Sequence, residues 1–362
     1  MRRSYVTPWA AALAVVMIAA SFVPAAAPKK GPSVHASVAA ARKAGGDFDL
    51  QGEYEGTIGG DARKKIGVQV IALGGDQFQA VFLAGGLPGA GWDGKTKVIC
   101  QGKLDGEKAV FEPARGNRKY LAGPPEQFSA TREFPPKTQR PCTAVIEAGR
   151  LTGKTASGAA IAAKKVMRKS PTLGAKPPTG AKVLLPYRPG KAPSLAAWAN
   201  QKWKPVPAEG HVIVSGGSNR TKEQFEGPWV LHVEFMTPFR PTARGQGRGN
   251  SGVFPPGGRE IQVLDSFGLD GMPNEAGGIY KSHPPKVNMC LPPLSWQTYD
   301  ITYTPAGTDA EGKKQPACYK VVHNGVTIHA KIPLGRSRRG SLNLQDHGNP
   351  VCYRNIWIVL KK

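Results

Sequence analysis

From residue 194 to residue 362, apolar and polar positions alternate in short runs. WVLHVEFMT (229–237), REIQVLDS (259–266), QTYDITYT (297–304) and SLNLQDHG (341–348) carry apolar side chains at every second position. Successive residues of a strand face opposite ways, so this period predicts half-buried strands. Asn324-Gly325, between KVVH and VTIHAKI, has the chemistry of a two-residue hairpin turn. Many such strands without intervening helices predict two antiparallel sheets packed face to face. Residues 47–168 hold a second set of short strands, punctuated by Gly74-Gly75-Asp76 and Asp105-Gly106. Their spacing predicts a small antiparallel sheet or barrel. That segment carries no catalytic constellation and reads as an accessory or docking module. Residues 169–193, rich in Pro, Gly and Lys, read as an extended linker. The expected fold class is all-β.

The alternation also sorts side chains by face. Ile261 and Val263 belong in the core, which turns Glu260, Gln262 and Leu264 outward, with the first two roughly 7 Å apart from the strand rise. Asp265 has the opposite parity unless a bulge re-aims it. Val233 and Phe235 point inward, so His232 and Glu234 point outward. Leu342 and Leu344 likewise leave Asn343 and Gln345 outward, with Asp346 and His347 just beyond. Three strands therefore offer acids, amides and His that could share one surface. A solvated sheet face would show the same pattern.

Composition narrows the class. The 362 residues include 45 Gly and 33 Pro without a triplet period, which excludes collagen and favours turn-rich β structure. Residues 1–27 have the order of a secretory signal: Arg2 and Arg3, an apolar run from Ala10 to Val23, then Ala25, Ala26 and Ala27. A periplasmic or extracellular location follows as the expectation, with no transmembrane segment after signal removal. Cys100, Cys142, Cys290, Cys318 and Cys352 are an odd number, so at least one is free or pairs between chains; a Cys100–Cys142 bond would join the first domain to itself, and a Cys318–Cys352 bond would join two late strands. The formal net charge of +24 has no helix-turn-helix, finger or aromatic RNA-binding signature to organise it. A basic, solvated surface accounts for it without any partner; among partners it suits anionic polysaccharide or an envelope surface rather than nucleic acid.

The stretches HVEFMTPF, RGQGRGNSGVF, EIQVLDSFG, GGIYKSHPPKVNMCLPP, WQTYDI, HNGVTIH and LQDHGNPVCYRNIWIV, spread over residues 203–360, resemble the 3-keto-disaccharide hydrolase family. That resemblance implies a concanavalin-like sandwich over residues 194–362 and cleavage of glycosides already oxidised at C3. A C3 ketone acidifies the C2 hydrogen, so a base removes it, the C1 substituent leaves, and water adds back. Carried onto this chain, the resemblance implies Glu260 as base and His347 or Asp265 as acid or its partner. It implies Arg354 at the oxyanion, and Gln262, Asn250, Tyr280 and Gln345 on sugar hydroxyls, with Trp296 offering a stacking face. The resemblance makes no cofactor certain. A divalent metal is compatible with His232, Glu234 and His347, although their spacing forms no ligand motif.

The chain departs from the family between NSG and EIQ. Pro255-Pro256-Gly257-Gly258-Arg259 stands there, two prolines that cannot donate to a ladder and an added charge beside Glu260. Sandwich glucanases mark their catalytic strand E-x-D-x-E. Here those positions are Glu260, Gln262 and Leu264, so the second acid of an ordinary glycosidase pair is missing. The alternative function is a carbohydrate-binding or wall-associated module without catalysis, since fold does not imply function.

Overall fold

The computed structural model describes Met1 and residues 33–361. The expected signal segment at 1–27 lies outside the described residues apart from Met1. Among the described residues no helix is long and apolar enough to cross a membrane.

The first set of strands closes into a barrel. Eight strands pair antiparallel in chain order, from Gly52–Ile58 to Ala160–Val166, and the last closes onto the first. Closure leaves no free edge. Within Asp61–Gly74, Val68, Val70 and Ala72 fill the barrel interior, while Ile71 and Leu73 face outward and are equally buried. The continuous apolar run VIAL is the sequence trace of this two-sided burial. Its outward members join Val81, Leu83 and Phe128 in packing against Phe267, Leu269, Ala276 and Cys290 of the second half. The Lys97–Asp270 ion pair (2.6 Å) reinforces this contact.

The second half is a sandwich. The large sheet runs in the order Lys204–Val206, His211–Ile213, Cys352–Leu360, Trp229–Met236, Gln297–Thr304, Ala317–His323 and Val326–Gly335. The small sheet runs Asn219–Arg220, Asn343–Leu344, Ser251–Phe254, Ile261–Val263. Between them lies one core built from Trp203, Trp229, Tyr299, Tyr303, Tyr319 and Tyr353 with the predicted inward set Val233, Phe235, Ile261, Val263, Leu342 and Leu344. Asn324 and Gly325 both have positive φ (48° and 83°) in the hairpin turn that their chemistry predicts.

The Pro/Gly/Lys-rich stretch 169–193 is more than a spacer. Its Lys182–Leu185 strand pairs with Cys352–Leu360, and Leu184 and Leu185 enter the core. The five Cys are unbonded. Cys100 donates to the backbone oxygen of Cys142, so these two are neighbours in the barrel. The Cys318–Cys352 pairing is ruled out by topology, because two strands of the large sheet separate theirs.

The Pro255-Pro256 segment forms the turn between Ser251–Phe254 and Ile261–Val263, closed by the Gly258 N–H donating to Pro255 O. Gly258 lies directly against the buried Tyr319 hydroxyl, where a Cβ would overlap the oxygen. Gly258→Ala should therefore destabilise the chain by about 2 kcal/mol or more, read as a drop in midpoint on thermal or urea denaturation.

Candidate functional site

The small sheet presents the candidate site on its outer face. Gly252 and Gln262 are register partners, and the Tyr280 N–H donates to Glu260 O (3.1 Å), so Glu260, Gln262, Gly252 and Tyr280 share that face. On the other side of Ser251–Phe254, the Gln345 N–H donates to Gly252 O (2.9 Å). Gln345 is thereby brought to the same face.

Glu260 is 9% exposed, and its carboxyl has no hydrogen-bond partner among the described residues. Burial without a compensating donor pushes its pKa up to about 7. The carboxyl occupies the space above Gly252, which a Cβ at 252 would take. Gly252 is thus the seat of the carboxyl, and RGQGRGNSG shows it only as one more loop glycine.

Beside Glu260 lies a network of amides. Asn250 Nδ2 and Gln262 Nε2 both donate to Gln246 Oε1 (3.1 and 3.0 Å), and Gln246 Nε2 donates to Asn274 O (2.8 Å). The network leaves two buried acceptors empty, Asn250 Oδ1 and Gln262 Oε1. Buried amide oxygens ordinarily find a donor. Sugar hydroxyls are donors of the required kind. Gln246 was not among the residues singled out from sequence; its place in a Gly-rich loop of RGQGRGN carries no period to read.

The remaining expected site residues are divided. His347 is exposed on the turn after Asn343–Leu344, its carbonyl accepting from Asn349 Nδ2. Asp265 is turned away, in a buried ion pair with Arg248 (2.8 Å) and accepting the Phe267 N–H. The strand ends at Val263, two residues before it, so strand alternation does not set its direction.

Arg354 belongs to the other sheet, and Trp296 immediately precedes that sheet's Gln297–Thr304 strand. His232, Glu234 and Arg354 stand on the outer face of the large sheet, with the whole core between them and Glu260. That face is not open. Residues 170–175 cover it: Gly174 N–H reaches Glu234 Oε1, and Thr172 Oγ1 donates to Asp300 Oδ2 (2.6 Å). His232 and Glu234 are both 0% exposed. His232 Nδ1 meets Asp300 Oδ1 at 2.6 Å, and Arg354 Nε donates to Glu234 Oε2 at 2.7 Å. Burial opposes the charge on Glu234, yet hydrogen bonds from His232, Asn355 and Arg354 hold its carboxyl below the usual range. The expected single surface of acids, amides and His is therefore two separate surfaces, because the strands that carry them lie in different sheets.

His232, Glu234 and His347 do not converge, and among the described residues no group of three His, Cys, Asp or Glu is placed to hold a metal ion.

Residues 180–359 match the family of 3-keto-alpha-glucoside-1,2-lyase-like domains. None of the curated proteins matches the chain. Among solved structures, a candidate glycosyl hydrolase from Parabacteroides distasonis is 29% identical over 51% of this chain and 85% of its own, with a TM-score of 0.43. A second candidate glycosyl hydrolase from that organism is 16% identical over 51% of this chain and 95% of its own, with a TM-score of 0.36. Over residues 180–359, about half its length, the chain belongs to the 3-keto-alpha-glucoside-1,2-lyase-like family of carbohydrate-active domains.

Proposed function

We propose that the protein is an exported enzyme that cleaves 3-keto-glucosides by elimination and rehydration, with Glu260 as its base. The observation that carries this reading is a partly buried carboxyl without a hydrogen-bond partner, set beside two empty amide acceptors.

A carboxyl with a pKa near 7 is half ionised at neutral pH, which suits both taking up and returning a proton. Its oxygen removes the C2 hydrogen, and the C2–H electron pair passes to the C3 carbonyl oxygen as an enolate. Collapse of the enolate forms the C1–C2 double bond and breaks the C1–O bond. Asp265 is committed to Arg248, so Glu260 itself returns the proton to the departing oxygen. Water then adds at C1 and a proton returns to C2, giving net hydrolysis. Asn250 Oδ1 and Gln262 Oε1 accept from ring hydroxyls, and the amide of Gln345 stands on the same face as a donor to the enolate oxygen. This chemistry does not need the paired acids of an ordinary glycosidase, which this strand lacks.

Incubation with a 3-keto-glucoside in D2O should release the aglycone and place deuterium at C2, read by NMR. Glu260→Gln should lower the rate by at least a hundredfold. Sugar binding without product in the parent protein would instead identify a lectin-like module.

The pH dependence has a defined sign. A base with a folded pKa of about 7 should give a kcat/KM that rises with pH and levels off above that value. For stability, the raised carboxyl favours the fold while neutral, and this contribution is lost as pH climbs from the ordinary glutamate range near 4.3 through about 7. Glu260→Gln should thus be more stable than the parent at pH 8 by on the order of 2–3 kcal/mol, and the two should converge near pH 4.

Gly252→Ala should fold but displace the carboxyl from its seat. A fall in kcat/KM of about tenfold or more, with an unchanged far-UV spectrum, is the expected outcome.

A further inference from the structure

A cavity lies at the seam between barrel and sandwich. It holds 520 Å³, and its walls include Phe48 and Lys165 from the first half and Pro292, Leu294, Trp296 and Arg354 from the second. That volume accommodates a small ligand of monosaccharide or disaccharide size.

Arg354 is its distinctive group. The side chain is 10% exposed, and its guanidinium carbon lies 4.0 Å from the ring centroids of both Tyr187 and Trp296. The rings close the faces of the guanidinium, and Nε is taken by Glu234. Nη1 and Nη2 donate to no described residue, although Arg354 lines the cavity. A buried fork of donors with fixed faces and a free edge matches the two oxygens of a carboxylate.

The rest of the wall agrees in sign. Arg42 is paired with Asp49 and Arg168 with Glu53, which are the acids of the lining. Lys165 and Lys169 remain in excess, and Arg354, paired with Glu234 through Nε, still presents its Nη edge. Gln51 also lines the cavity, and its buried Nε2 lacks a partner. Phe48, Pro292 and Leu294 supply an apolar surface for the carbon skeleton.

We propose that this cavity binds a carboxylate-bearing sugar of the uronate class, with Arg354 as the carboxylate clamp. The site is independent of Glu260, which stands on the other sheet with the core between.

Calorimetric titration of the full chain with D-glucuronate, D-glucose and inorganic phosphate tests this. Glucuronate should bind at least tenfold more tightly than either of the others. Arg354→Lys, which removes the fork, should weaken it tenfold or more, and Glu260→Gln should leave it unchanged. Since Arg354 also anchors Glu234, Ser295→Trp on the cavity wall provides a second variant, which should block binding without altering the melting temperature. Any of four results would overturn the proposal: no glucuronate binding, equal affinity for glucose or phosphate, loss of binding in Glu260→Gln, or full affinity in Ser295→Trp.

Discussion

A carboxylate with no exposed surface sits on the outer face of the large sheet, and much of the surrounding structure exists to keep it there. Glu234 receives hydrogen bonds from Arg354, from Asn355 and from the Gly174 backbone, with His232 at 3.5 Å. Leaving a buried charge unpaired costs several kcal/mol, so each of these donors must be in place. The consequence is mechanical. Residues 170–175 are drawn down onto the sheet, Arg354 is fixed between two aromatic rings, and the barrel that precedes this segment is held at the sandwich's flank.

Glu260 presents the opposite arrangement. It is also largely buried, but the small sheet gives it a glycine seat and no donor. Satisfied acids are anchors, whereas an acid denied a partner is one whose proton can move near neutral pH. The two glutamates lie on strands with the same alternating pattern, and their environments give them different work.

Pairing also separates what the linear order brings together. Asp265 follows Glu260 by five residues, yet Arg248 claims it. Gln246 lies in a glycine-rich loop with no recognisable period, yet it links Asn250 to Gln262. Arg354 and His347 are seven residues apart, and one is clamped on the large sheet while the other is exposed at a turn of the small sheet's strand.

The sequence by itself determined which side chains of each strand face the core. Ile261, Val263, Val233, Phe235, Leu342 and Leu344 are all inside, as a two-residue period requires, and Asn324-Gly325 turns where its chemistry says. It also carried the all-β class and the shared face of Glu260 and Gln262. Periodicity says which way a side chain points from its own strand, not which sheet that strand joins or what covers the face. Only the tertiary structure could therefore decide that His232 and Glu234 are buried under residues 170–175, that Arg354 and Trp296 border a separate cavity, and that Glu260 is left without a partner. Those outcomes depend on contacts between residues distant in sequence, which no local pattern encodes.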